Sequence, residues 1–170
     1  MTAVLITACS SGDSSGGSSS GVVNAWAGEP QNPLIPTNTS ENMGGRVLDS
    51  LFSGLVSYTA DGGTENEVAE SIESTDGQNF TVKLKDGWTF TDGTPVTAKS
   101  FVDAWNYGAL STNAQLQASF FDPIKGYDEV AAEVPTAQTM SGLKVVDDST
   151  FTIELKQPES AFPDRLGFTA

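Results

Sequence analysis

The sequence predicts a mixed α/β fold, locally α+β, on three observations. Apolar residues recur at helical spacing in two windows, residues 43–55 and 101–105. Phe80, Val82 and Leu84 alternate with Thr81, Lys83 and Lys85, the period of a strand with one dry and one wet face. Asp61-Gly62-Gly63, Asp76-Gly77 and Asp92-Gly93 fall between apolar runs, where chains reverse. Helices and antiparallel strands thus share a chain of 170 residues, and its 38% hydrophobic content suffices for a core.

At the start of the chain, Val4-Leu5-Ile6-Thr7-Ala8 is a short apolar run ending at Cys9, the one cysteine. Ile6-Thr7-Ala8-Cys9 resembles the lipobox of bacterial lipoproteins, where a branched aliphatic and two small residues precede a Cys that receives a diacylglyceryl group. The resemblance implies lipidation at Cys9. Residues 1–8 lack a basic n-region and a full apolar h-region, so they are expected to be the end of a truncated signal peptide. Residues 9–21 are almost all Ser and Gly; such a segment buries nothing and serves as a flexible tether after the lipidated Cys. No run approaches the roughly 20 apolar residues of a membrane-spanning helix. Two or three acyl chains would hold the protein on the outer face of the cytoplasmic membrane, in the cell envelope or periplasm, without crossing it.

Residues 22–170 are the part expected to fold. Val22 to Trp26 reads as a first strand, and the prolines at 30, 33 and 36 make the following segment an extended loop. Ser40 is the expected N-cap of a helix whose apolar positions are Met43, Val47, Leu48, Leu51, Phe52 and Leu55. Gly44-Gly45 weakens its first turn by about 1 kcal/mol per Gly relative to Ala. Ala69 to Ser74 and Phe80 to Lys85 read as strands of a meander, which Trp88 and Phe90 extend to the turn at Asp92-Gly93-Thr94-Pro95. Thr97 caps a second helix with Phe101, Val102 and Trp105 on one face. Ser111 to Ser141 has no clear period and contains Pro123 and Pro135, so an irregular excursion with a short helix or two is expected. Leu143 to Val146 and Phe151 to Leu155 form a last hairpin around Asp147-Asp148, and Ser160 is the expected cap of a further helix.

Composition narrows the function. With 22 Asp and Glu against 8 Lys and Arg, the net charge is −14, which repels nucleic acid and anionic lipid headgroups. The chain has no His, which removes Ser-His-Asp and Cys-His catalysis and the commonest zinc ligand. Two G-x-S-x-G matches, Gly12 to Gly16 and Gly17 to Gly21, lie in the Ser/Gly segment with no strand before them and no helix after them. Asn38-Thr39-Ser40 and Asn79-Phe80-Thr81 match the glycosylation acceptor but read as ordinary loop and strand residues. Asp61, Glu65 and Glu67 lack the spacing of a calcium loop, and Asp147-Asp148 is a turn rather than a catalytic pair. These features point to no enzyme, cofactor or metal.

The segment from Leu84 to Val102 reads LKDGWTFTDGTPVTAKSFV. It resembles the signature L-x-x-G-x-x-F/W-x-D-G-x-P-[VL]-T-A-x-D-[VF] of the extracellular solute-binding proteins of family 5, the peptide and nickel receptors of ABC importers. Ser100 departs from it, standing where the family usually carries Asp or Glu. Glu29 to Pro36 is similar to the family's opening loop, Leu51-Phe52-Ser53-Gly54-Leu55 to its L-[FY]-x-G-L helix end, and Val68-Ala69-Glu70-Ser71 to its L-A-E-S strand. Phe101 to Trp105 and the hairpin at 143–155 are most similar to the oligopeptide branch.

What the resemblance implies is a lobe of the type II periplasmic-binding-protein fold, incomplete in this chain, with an inserted β-rich subdomain. The family captures solutes between two lobes that close about a hinge, and its peptide ligands lie extended. Its ligand-facing segments correspond here to Thr39, Ser40, Glu41 and Asn42 and to Gln115, Gln117 and Phe120. For Glu41, a favourable charge at a helix N-terminus is an equal reading. The implied function is capture of oligopeptides by a lipid-anchored monomer that delivers them to an ABC permease complex. Nickel, haem or sugar as ligand, or a lipid-anchored surface adhesion module, are the alternatives. Because half of such a cleft would be missing, these 170 residues alone are expected to fold poorly and to bind no ligand.

Overall fold

A computed structural model describes residues 28–167. The expected strand at 22–26, the tether and Cys9 lie outside the described residues.

The proline-rich loop does not run extended as expected: it bends at Gln31, Asn32 and Leu34, the Ile35 N–H donates to the Pro33 carbonyl at 2.7 Å, and a 3-10 turn at Pro36–Asn38 leads into the first helix, α1 (Asn42–Leu51). Its cap is Glu41 rather than the expected Ser40. Glu41 is extended (φ −124°, ψ 157°) and its carboxylate accepts from the Met43 and Gly44 N–H groups, at 2.7 and 2.9 Å. The longer side chain reaches back over the first turn and satisfies donors that have no partner inside the helix. The helix also ends earlier than its apolar spacing predicts. Phe52 is extended (φ −122°, ψ 139°), which breaks the period, so Leu48 is buried, Leu51 stays 63% exposed and Phe52 46%. Leu55 is buried, but just ahead of a strand.

That strand is β1 (Val56–Tyr58), which turns at Asp61-Gly62-Gly63 into β2 (Thr64–Asn66) as the Asp-Gly pair predicts. The main sheet is antiparallel and holds β3 (Ala69–Glu73), β4 (Asn79–Leu84), β5 (Leu143–Asp147) and β6 (Thr150–Glu154) in the order β3-β4-β6-β5. Phe80, Val82 and Leu84 of β4 are buried and the residues between them exposed. Beside them, Phe151 and Ile153 of β6 extend the dry face. The Asp147 carboxylate accepts from the N–H and Oγ of Ser149, which shapes the β5–β6 turn.

Helix α2 (Ala98–Ala109) covers this face. Thr97 precedes it as expected, and Ser100 Oγ accepts from the Thr97 N–H at 3.1 Å, so a capping box forms despite the missing acidic residue. Phe101 stacks on Phe151 with ring centroids 6.1 Å apart, and Trp105 meets Phe151 edge-on at 5.7 Å. The expected extension of the meander through Trp88 and Phe90 does not form. Positive φ at Gly87 (87°) turns the chain, Thr89 pairs with Pro95 in an isolated bridge, and Phe90 is 48% exposed.

Between α2 and β5 the chain is irregular, as expected, with 3-10 turns at Ser111–Asn113 and Ala118–Phe121 and a short helix α3 (Tyr127–Ala131). At the end of the described chain, Ser160 does not cap an α-helix. A 3-10 turn at Phe162–Gly167 begins two residues later, with the Phe162 N–H donating to the Glu159 carbonyl. This turn packs on β1, where the Tyr58 hydroxyl donates to the Asp164 carbonyl at 3.0 Å.

Candidate functional site

The loop before α1 is held from inside. Thr37 and Thr39 are 5% and 4% exposed, and the Thr39 hydroxyl donates to the Pro33 carbonyl at 2.9 Å. Glu41 also accepts from the Gln31 N–H at 3.0 Å, which draws the loop onto the helix N-terminus. Its carboxyl is held below the usual carboxylate range, chiefly by the Gly44 N–H.

A second segment, 78 residues further along the chain, is joined to this loop. The Gln117 N–H donates to the Thr37 carbonyl at 2.9 Å, and Gln117 Nε2 to the Thr39 carbonyl at 3.2 Å. Thr37 Oγ1 donates to Gln115 Oε1 at 2.9 Å, and the Leu116 N–H reaches Asn38 Oδ1 at 3.3 Å. Close approach of α2 makes this junction possible, because Gly108 presents no side chain to Thr37.

An open groove of about 970 Å³ lies alongside. Thr39, Ser40, Glu41, Asn42 and Gln117 line it, so five of the seven residues expected to face ligand share one concavity. The other two do not line it. Gln115 is half-buried and engaged elsewhere, accepting from Thr37 and donating to the Asn113 carbonyl at 2.7 Å. Phe120 lies edge-on to Phe121 at 5.5 Å with the Arg165 guanidinium 5.5 Å from its ring. Both support the segment that presents Gln117.

Residues not anticipated from the sequence form the rest of the groove. Arg46 and Asp49 follow Asn42 at spacings of four and seven along α1, so a helical-face reading of the polar positions would have found them. Leu51, Phe52 and Tyr58 supply an exposed apolar wall. Partial desolvation of the hydroxyl, and then the charges of Asp164 and Asp49, push the Tyr58 phenol above its usual range. Among the described residues no group of three or more Cys, Asp or Glu side chains is placed to hold a metal ion. The groove offers hydroxyls, amides, carboxylates and one guanidinium, which suits it to bind a polar, extended molecule by hydrogen bonds.

Residues 63–170 match the family model of the bacterial extracellular solute-binding proteins, family 5. The chain is 31% identical over 136 residues to the oligopeptide-binding protein OppA of Bacillus subtilis, an alignment covering 79% of this chain and 25% of that protein. It is 35% identical over 118 residues to the periplasmic oligopeptide-binding protein OppA of Escherichia coli, covering 68% and 22%. Among solved structures, the murein tripeptide binding protein MppA of Escherichia coli superposes with a TM-score of 0.76 at 28% identity, covering 84% of this chain and 28% of that one. The chain therefore spans about a quarter of the length of the relatives it matches. Its mixture of helices and antiparallel sheet is an incomplete lobe of the type II periplasmic-binding-protein fold. A family match over more than half its length, with the same fold in three dimensions, places this chain in the bacterial extracellular solute-binding proteins of family 5.

Proposed function

We propose that the chain is the N-terminal part of a receptor that captures oligopeptides outside the cell and hands them to an ABC permease complex. The observation that carries this reading is the junction at the groove. Gln117 from a distant segment bonds to the Thr39 carbonyl, and it lines one open groove together with Ser40, Glu41 and Asn42 at the start of α1. Such a lining suits an extended peptide, which brings a regular series of donors and acceptors along its backbone. The similarity to oligopeptide-binding proteins supports the same ligand class.

In this reading residues 1–8 end a signal peptide, Cys9 carries the lipid, and residues 9–21 tether a monomeric receptor to the outer face of the cytoplasmic membrane. The described part supplies one side of a cleft that a second lobe completes. The receptor binds and releases its ligand unchanged and is not an enzyme.

Calorimetry on the full-length protein tests the ligand class, with a mixed library of short peptides set against nickel, haem and simple sugars. Broad peptide binding is expected. Nickel, haem or sugar binding without any peptide signal refutes the peptide assignment, and tandem β repeats downstream in place of a second lobe would point to adhesion instead.

A further inference from the structure

We propose that Arg46 is a specificity residue of the groove, its guanidinium taking a carboxylate of the bound peptide. The inference rests on the peptide reading above and narrows it to ligands with an anionic group at one position.

The chain has 22 acidic side chains for 8 basic ones, so a cation meets a carboxylate easily. Most of them do. Lys83, Lys99 and Lys125 each lie 2.6 Å from a carboxylate oxygen, Lys156 bridges Asp122 and Asp128, and Arg165 meets Glu159. Lys85 donates to the Asn66 carbonyl at 2.8 Å. Among the described residues this leaves the charged groups of Lys144 and Arg46 without an ion pair or hydrogen bond. Lys144 sits on β5, away from the groove, whereas Arg46 is exposed and is the one cation in the groove's lining.

Its surroundings make that position distinctive. Asp49 is three residues away on the same helix, yet forms no ion pair with it. Ser50 Oγ donates to the Arg46 backbone carbonyl and not to its side chain. The carboxylate of Glu41 is engaged by three backbone N–H groups. Asp49 and Glu67 line the same groove and repel an anion there. A ligand carboxylate is therefore disfavoured along the groove except at Arg46, where a planar fork of N–H donors matches the two oxygens of a carboxylate. The result is register, with one acidic group drawn to one place. Because the pair stays partly in water, the preference is modest, about 1.5-fold to fivefold in affinity.

An acidic side chain and a peptide C-terminus offer the same chemistry, and calorimetry on the full-length protein separates them. The probes are alanine tripeptides carrying Glu at each position in turn, their Gln counterparts, and trialanine as free acid and as C-terminal amide. Wild type is expected to prefer Glu over Gln at one position, or acid over amide, by about 1.5-fold to fivefold. That margin should shrink with added salt, vanish in Arg46→Gln and survive in part in Arg46→Lys. The comparison within wild type holds even if a variant folds poorly. Equal affinity for every matched pair in wild type overturns the inference, as does a preference that persists in Arg46→Gln. Peptide binding with equal affinity for the Glu and Gln members of every pair marks a failure of this inference alone, whereas the absence of all peptide binding overturns the peptide reading with it.

Discussion

Replacing glycine by alanine should have opposite consequences on the two main helices, and the difference is set by what each new methyl group meets. Alanine is favoured over glycine inside a helix by about 1 kcal/mol. At Gly45 on α1 nothing lies within 4 Å of an added Cβ, so Gly45→Ala should stabilise by about 0.5 to 1 kcal/mol. At Gly108 on α2 the same Cβ would lie 2.5 Å from Thr37 Cγ2 and 2.7 Å from Phe121 Cε2. Carbon atoms in contact prefer about 3.5 to 4.0 Å, and neither neighbour can swing aside. Thr37 is 5% exposed and bonded to Gln115, and Phe121 is 1% exposed. Overpacking of this kind costs about 1 to 3 kcal/mol. After the helical gain, Gly108→Ala should lose about 1 kcal/mol, and up to about 2. Displacing Thr37 also strains the bonds to Gln115 and Gln117, so peptide affinity should fall with it. Denaturant midpoints of the full-length protein and its two variants, with calorimetry on each, measure both effects. If Gly108→Ala is as stabilising as Gly45→Ala and binds peptide as wild type does, the α2 contact does not hold the groove in place.

Acid should destabilise the fold only below about pH 4, the ordinary range of Asp and Glu in an unfolded chain. The carboxyls of Glu41, Asp61, Asp76, Asp92 and Asp147 all lie below their usual range, Asp76 furthest, chiefly because it accepts from the Asn79 N–H. A folded-state pKa depressed in this way adds stability above the unfolded value and loses it as the pH falls through the folded one. In a carbon-13 NMR titration Asp76 should protonate last of these five, and an ordinary pKa for it would contradict the turn geometry. With a complete signal peptide, the mature protein should begin at an acylated Cys9 and partition with membranes, and Cys9→Ala should block both lipidation and cleavage; unmodified Cys9 in membrane-bound protein would rule this out. The 170 residues alone should retain β-structure by circular dichroism but aggregate and bind no peptide, since Leu51, Phe52 and Tyr58 are left exposed. A monomeric fragment with a cooperative melt and the affinity of the full receptor would refute that.

Features that depend on near neighbours could be read directly from the sequence. The Asp-Gly pairs at 61–62 and 76–77 marked the β1–β2 and β3–β4 turns, while the turn at Asp86-Gly87 was hidden by the alternation that carries on through Trp88 and Phe90; strict alternation also exposed one face of β4. Thr97 ahead of α2 and the Asp147-Asp148 turn were equally local. The two groove segments were named only through family resemblance, since nothing in periodicity links Thr39 to Gln117. Three-dimensional structure joined them, because Gly108 lets α2 approach Thr37 closely enough for the distant loop to bond across. It also decided between adjacent candidates for a helix cap. Ser40 has the favoured side chain, but Glu41 has the extended backbone and the reach to accept from Gln31, Met43 and Gly44 together. Sequence thus determined the turns at 61–63, 76–77 and 147–148, the four strands of the main sheet and the family, which rest on contacts within a few residues. Which face of α1 is buried, which amides meet, and that Arg46 stands without a partner among the described residues depend on residues far apart in the chain, and only packing brings those together.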